Sequence, residues 1–140
     1  MKKGEEMSLI VNIITALMAS LGGFFCWVFD GLDSLFYALV AFVALDYITG
    51  VLLAIQNKKL SSYIGFKGIS KKILMFLLVG MGNIIDKYVI GSGNTLKNLL
   101  VMFYLSNEGI SIIENAGSMG LPLPKKLKDI LQQLNQDVKN

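Results

Sequence analysis

The 140-residue chain is 54% hydrophobic and 16% charged, with a formal net charge of +3 and a mean hydropathy of +0.59; soluble domains carry about a quarter charged residues and fewer apolar ones. It has no His, which removes the commonest general base and metal ligand, and Cys26 is alone, so neither a disulfide framework nor a CxxC site is available. The positive charge comes from Lys without Arg, whereas nucleic-acid binders rely on Arg for bidentate contacts; it reads as membrane topology, with no nucleic-acid partner.

Between Glu6 and Asp30 lie 23 consecutive uncharged residues. At about 1.5 Å each they make a helix of roughly 34 Å, enough to cross a hydrocarbon core of about 30 Å. This places a first span over about 9–29. Lys2 and Lys3 resemble the n-region of a signal peptide. Glu5 and Glu6 cancel that charge, and the apolar run exceeds a usual h-region, so a retained anchor is favoured. Ala16, Ala19, Ser20 and Gly23 give this helix a face of small residues. Asp30, Gly31 and Asp33 then form a turn without a basic residue.

The second span, 34–55, contains Asp46 near its middle. Its Leu, Ile, Val and Phe residues contribute about −4 to −7 kcal/mol on the insertion scale, against about +2.5 to +3.5 for a central Asp. The segment inserts despite the charge. Asp46, Gly50 and Ala54 recur at i, i+4 and i+8, a stripe that lets a neighbouring helix approach and satisfy the carboxylate. A structural buried acid and a functional one fit this stripe equally well.

Residues 56–72 hold Lys58, Lys59, Lys67, Lys71 and Lys72 with no acid, and Gly65 and Gly68 interrupt a helical pattern. A basic cytoplasmic loop is expected there. The third span, 73–90, is charge-free only over 73–85, about 20 Å and too short to cross unaided. Lys71 and Lys72 are therefore expected to snorkel at one end, with Asp86 and Lys87 paired at the other interface. Gly91-Ser92-Gly93-Asn94 reads as a turn.

The fourth segment, 99–119, carries Asn107, Glu108, Ser111, Glu114 and Asn115, which bring its insertion energy near break-even. Tyr104, Glu108, Ser111 and Asn115 recur at i, i+4, i+7 and i+11 and form a polar stripe on one face. The segment is stable in a membrane only if that stripe meets protein or water. Four spans put 11 of the 13 Lys on one side and leave Lys87 and Lys97 on the other. By the positive-inside rule the Lys-rich side, with both ends of the chain, is cytoplasmic. The expected fold is an all-α membrane bundle of about four transmembrane helices, three plus a polar fourth.

After Pro122 and Pro124 comes a short amphipathic helix with Leu127, Ile130, Leu131, Leu134 and Val138 at helical spacing. Three roles are open to it: packing on its own bundle, lying on anionic lipid through Lys125, Lys126 and Lys128, or oligomerisation. Catalysis has little to stand on. Gly80-Met81-Gly82 and Gly91-Ser92-Gly93 lack the spacing of a phosphate or dinucleotide loop, and no His completes a triad. No catalytic residue, metal site or cofactor is expected.

Two blocks of sequence resemble a known family. Asp46-Tyr47-Ile48-Thr49-Gly50-Val51-Leu52, Lys58-Lys59-Leu60-Ser61-Ser62 and Gly65-Phe66-Lys67-Gly68-Ile69-Ser70-Lys71-Lys72 form the first. Asn107-Glu108-Gly109-Ile110-Ser111-Ile112-Ile113-Glu114-Asn115 and Gly120-Leu121-Pro122-Leu123-Pro124 form the second. Over roughly 30–134 the chain resembles the toxin-secretion/phage-lysis holin family of Gram-positive phages, to which the clostridial toxin-export holin belongs. That family is often described with three spans.

The resemblance implies a holin: a homo-oligomer in the bacterial cytoplasmic membrane, without catalytic residues. It opens at a set time to release an endolysin or export a toxin, with an antiholin as a further partner. The expected organisation is a membrane domain over 1–121 followed by a cytoplasmic helix over 122–140. A monomer would bury Asp46 and the Glu108 stripe against itself, and an assembled ring could turn them toward water. Asp46, Gly50, Ala54, Asn107, Glu108, Ser111 and Asn115 are the candidates for helix packing or lining the hole. Met7 offers a second start that would change the charge of the N-terminal tail. The competing readings are a small ion or solute channel or carrier, and an antiholin or membrane scaffold.

Overall fold

The computed structural model describes residues 3–139. Its elements are α1 (Lys3–Phe29), α2 (Ser34–Gln56), α3 (Ser62–Ile85), a π-helical continuation of α3 (Asp86–Ile90), α4 (Thr95–Ser118) and α5 (Lys125–Lys139). No strand occurs among the described residues. The chain divides into two compact units, Met1–Leu32 and Asp33–Asn140.

The first unit is α1, apolar on every side. Leu9, Ile10, Val11, Ile13, Ile14 and Leu17 are each 52–59% exposed, the surface of a helix that meets lipid rather than water. Its hydroxyls bond to their own helix: Thr15 Oγ1 donates to the Val11 carbonyl and Ser20 Oγ to that of Ala16, both at 2.8 Å. A bilayer interior demands such internal satisfaction of polar groups. Met7 is exposed on this helix, while Met1 and Lys2, the other part of the second-start expectation, lie outside the described residues.

Three helices are long and apolar enough to cross a membrane: Gly4–Phe29, Ser34–Gln56 and Ser62–Ile90. The third differs from expectation. Residues 62–72, expected as most of a basic loop, are the first turns of α3, and the connection shrinks to Asn57–Ser61. Gly65 and Gly68 do not break the helix, because a glycine inside one costs only about 1 kcal/mol relative to Ala. The extension turns a stretch too short to cross into one of 29 residues. Lys58 and Lys59 stay in the turn; Lys67 and Lys71 are exposed on α3, and Lys72 is half-buried.

In the second unit, α4 packs against α2, α3 and α5. Its apolar core includes Phe36 and Leu39 of α2, Met75 and Val79 of α3, and Val101 and Ile113 of α4. The order of hydropathy is thus inverted relative to a soluble bundle. The most polar of the three long helices in this unit is the one its neighbours enclose. Past α3, Gly91 and Gly93 adopt φ of 80° and 75°, a left-handed backbone that glycine takes without strain, and the chain turns into α4. The α5 helix packs on α4, with Lys128 Nζ 3.9 Å from Glu114 Oε1. Leu127 and Ile130 remain partly exposed, and the side chains of Leu131, Leu134 and Val138 lie outside the described residues.

Candidate functional site

Asp46, Lys72 and Glu108 come from three different helices and share one depth. Asp46 lies ten positions before Gln56, Lys72 ten after Ser62, and Glu108 ten before Ser118. At about 1.5 Å per residue, each sits about 15 Å from one helix end: the C-terminal end of α2 and of α4 and the N-terminal end of α3. The antiparallel course of α2, α3 and α4 therefore brings the three charges together.

Lys72 Nζ donates to Asp46 Oδ2 at 2.6 Å and also to Glu108 Oε2. The expectation that Lys72 snorkels to the surface is corrected: its side chain is 16% exposed and points into the bundle. The reason is the extended α3, which carries Lys72 three turns into the helix instead of leaving it at an interface. Asn115 Nδ2 closes the cluster from α4, donating to Asp46 Oδ1 at 3.3 Å and to Thr49 Oγ1 at 3.1 Å. One ammonium thus answers two carboxylates, with the amide holding the second oxygen of Asp46.

The small-residue stripe on α2 serves this arrangement. A Cβ on Gly50 would stand 3.7 Å from Asn115 Nδ2, so α4 lies close beside α2 at this point. Gly50, Ala54 and Ser111 line a cleft of about 270 Å³ together with Asp46, Lys72 and Asn115. Asn107 is half-buried on α4 and is not among the residues that line that cleft. Seven positions further along each helix, Leu39, Val79 and Val101 are fully buried, each 0% exposed. A seven-residue step is two turns, so it returns to the same helix face. An apolar layer therefore follows the charged one.

A second polar cluster closes the far end. Asp86 is fully buried; its Oδ1 accepts from the Leu96 backbone N–H at 3.0 Å and its Oδ2 from that of Lys97 at 2.8 Å. These belong to the first turn of α4, whose N–H groups have no partner inside the helix and favour a negative charge. The expected pairing of Asp86 with Lys87 at an interface gives way to this capping role. Lys97 Nζ, 1% exposed, donates to Asp33 Oδ2 at 2.8 Å, and Asp33 Oδ1 caps α2 by accepting from Phe36 N at 2.7 Å. Burial pushes the Asp33 carboxyl up, but the Lys97 ammonium and the Phe36 N–H outweigh it and hold the group below its usual range. At the same end a Cβ on Gly82 would fall 2.7 Å from Leu100 Cδ1 and 3.4 Å from the Lys97 backbone, so only glycine fits there without displacing Leu100.

Lys72, Asp33, Asp86 and Lys97 were not among the polar-face residues singled out from the sequence. The signal for Lys72 was present: a lysine ten residues inside one helix, with single acids at the same depth in two others. Among the described residues no group of His, Cys, Asp and Glu could hold a metal ion.

A family model described as the bacteriophage holin family matches residues 23–136. The chain is 40% identical, over 92% of its length and 98% of the relative's, to an uncharacterised 14.9 kDa protein in the nagH 3′ region of Clostridium perfringens. It is 35% identical to an uncharacterised Bacillus subtilis protein, over 95% of this chain and 90% of that one. An uncharacterised Listeria monocytogenes protein is 42% identical over 79% of this chain and 78% of its own. No solved structure matches.

Proposed function

The chain belongs to the bacteriophage holin family, a membrane-permeabilising and non-enzymatic family, and from that premise we propose that it forms oligomeric lesions in the cytoplasmic membrane. Through them an endolysin is released, or a toxin exported, at a set time. The observation that carries this reading is the Asp46–Lys72–Glu108 cluster. A single copy satisfies its intramembrane charges internally and so accumulates without harm. The same groups are the ones that could face water once copies assemble, with Glu108, Ser111 and Asn115 along the hole or at the contact between subunits. An intramembrane ion cluster strong enough to close a monomer, and polar enough to line a hole, supports both states.

In this reading α4 is a fourth span. Its 24 residues reach about 36 Å; Glu108 and Asn115 meet α3 and α2, while Glu114, near its C-terminal end, is exposed. Both ends of the chain are then cytoplasmic, with α5 on that side. Lys58, Lys59, Lys67 and Lys71 still flank the turn that joins α2 and α3, as the positive-inside rule requires; Lys72 leaves that surface set and becomes part of the core.

The test is expression in a bacterium with and without a cytoplasmic endolysin, following membrane potential and culture density. A holin gives abrupt depolarisation, and rapid lysis only when endolysin is present. Depolarisation with no endolysin-dependent lysis would instead identify a small ion or solute channel, and neither response would identify an antiholin or scaffold.

A further inference from the structure

The cleft beside the ion cluster carries a second, separate reading. It lies between the end of α2 and the start of α3, with Lys59 and Ser61 of the connecting turn at its mouth. Its floor is Asp46, Lys72 and Asn115. Part of its room comes from Gly68, where a Cβ would meet nothing within 4 Å. The volume is about 270 Å³, whereas a water's share of liquid volume is about 30 Å³ and a bound water needs two to four polar partners. Both conditions are met.

Charge makes the same demand. The cluster holds two carboxylates and one ammonium, and ionisable groups within a membrane pair with one another or face a water-filled cavity. The side chains of Asp46 and Lys72 are 14% and 16% exposed, whereas Leu39, Val79 and Val101, seven positions deeper, are each 0% exposed. Polar exposure ends where the apolar layer begins.

We infer that this cleft is a water-filled vestibule within each copy, open at the 57–61 turn, floored by Asp46, Lys72 and Asn115 of the ion cluster and stopped by the Leu39–Val79–Val101 layer. Water and small polar solutes reach the cluster from one side only, before any assembly. Opening then requires parting one apolar layer rather than hydrating the whole length of three helices. The inference rests on α4 lying in the membrane beside α2 and α3; it does not depend on what the assembled chain releases.

Single cysteines in the full-length chain test it, with Cys26→Ser removing the native thiol. Ser61→Cys at the mouth, Ser111→Cys along the cleft and Val79→Cys in the apolar layer are each exposed to a charged, membrane-impermeant thiosulfonate. Right-side-out and inverted vesicles are used before lysis is triggered. Labelling requires thiolate and water together. Ser111→Cys should react from the same face as Ser61→Cys, and Val79→Cys from neither. Adding Gly68→Leu, which fills the cleft, should abolish labelling at position 111 and leave position 61 unchanged. A Ser111→Cys thiol that reacts from neither face, or only from the opposite one, overturns the vestibule. So does a reactive Val79→Cys, or labelling that Gly68→Leu does not alter. The face on which Ser61→Cys reacts reports topology separately, so an error in the proposed orientation is distinguishable from failure of the vestibule.

Discussion

Two lysines are drawn into the same helical unit, and they are held in different ways. Lys97 is 1% exposed and stands at the start of α4, where its backbone N–H is taken by Asp86 and its ammonium by Asp33. Asp86 and Asp33 both stand at helix ends, and Asp33 itself is 40% exposed. Lys72 lies about 15 Å from the nearer end of α3, and the partners in its cluster are side chains projected from two other helices. The first cluster is a clamp that uses the unpaired amides a helix start always provides. The second depends entirely on three helices keeping their register. A structure that must be stable and later rearrange is expected to put its exchangeable contacts in the second kind of place.

Substitutions should separate the two. Lys72→Met leaves Asp46 and Glu108 without their shared cation, and breaking a buried pair costs about 3–5 kcal/mol. Thermal unfolding of the detergent-solubilised protein should register this as the largest loss of any single change here. Asp46→Asn and Glu108→Gln added to Lys72→Met should recover most of it. Next comes Asp86→Ala, which strands two N–H groups of the first turn of α4 and should cost about 2–3 kcal/mol in the same assay. Lys97→Met should cost less, about 1.5 kcal/mol, because Asp33 can turn to solvent. A Lys97→Met loss equal to that of Lys72→Met would erase the distinction between the two clusters.

The smallest effect is a pH dependence. The folded Asp33 carboxyl titrates below its unfolded value, which is about 3.9 for a free Asp. Its contribution is therefore complete above that unfolded value and is lost as pH falls through the lower folded one. Comparing the acid limb of stability for the native chain with Asp33→Asn should show a shallower loss in the variant. Surface exposure of Asp33 keeps the difference small.

Hydropathy made α1 and α2 legible to within a residue or two at their C-terminal ends, because a long uncharged run has few other readings. It also located Asp46, Gly50, Glu108 and Asn115 on faces that proved to meet. What it missed has one cause. Gly65 and Gly68, together with five lysines, suggested a loop over 56–72, since local composition weighs each charge as though it faces lipid or water. Lys72 faces two acids instead, and that pairing is a property of three helices in register rather than of any one segment. Asp86 was read beside Lys87, its neighbour in sequence, although its partners lie across a turn at Leu96 and Lys97. The polar α4 was recognised as dependent on company. Where that company came from needed the fold.

The most direct measurement is the timing of membrane depolarisation in cells expressing Lys72→Met, beside the triple variant Asp46→Asn, Lys72→Met and Glu108→Gln, at matched membrane levels. If the cluster holds each copy closed, Lys72→Met depolarises early and the triple variant, with no charge left to expose, depolarises late. Identical timing in native, single and triple variants would contradict that role for the cluster.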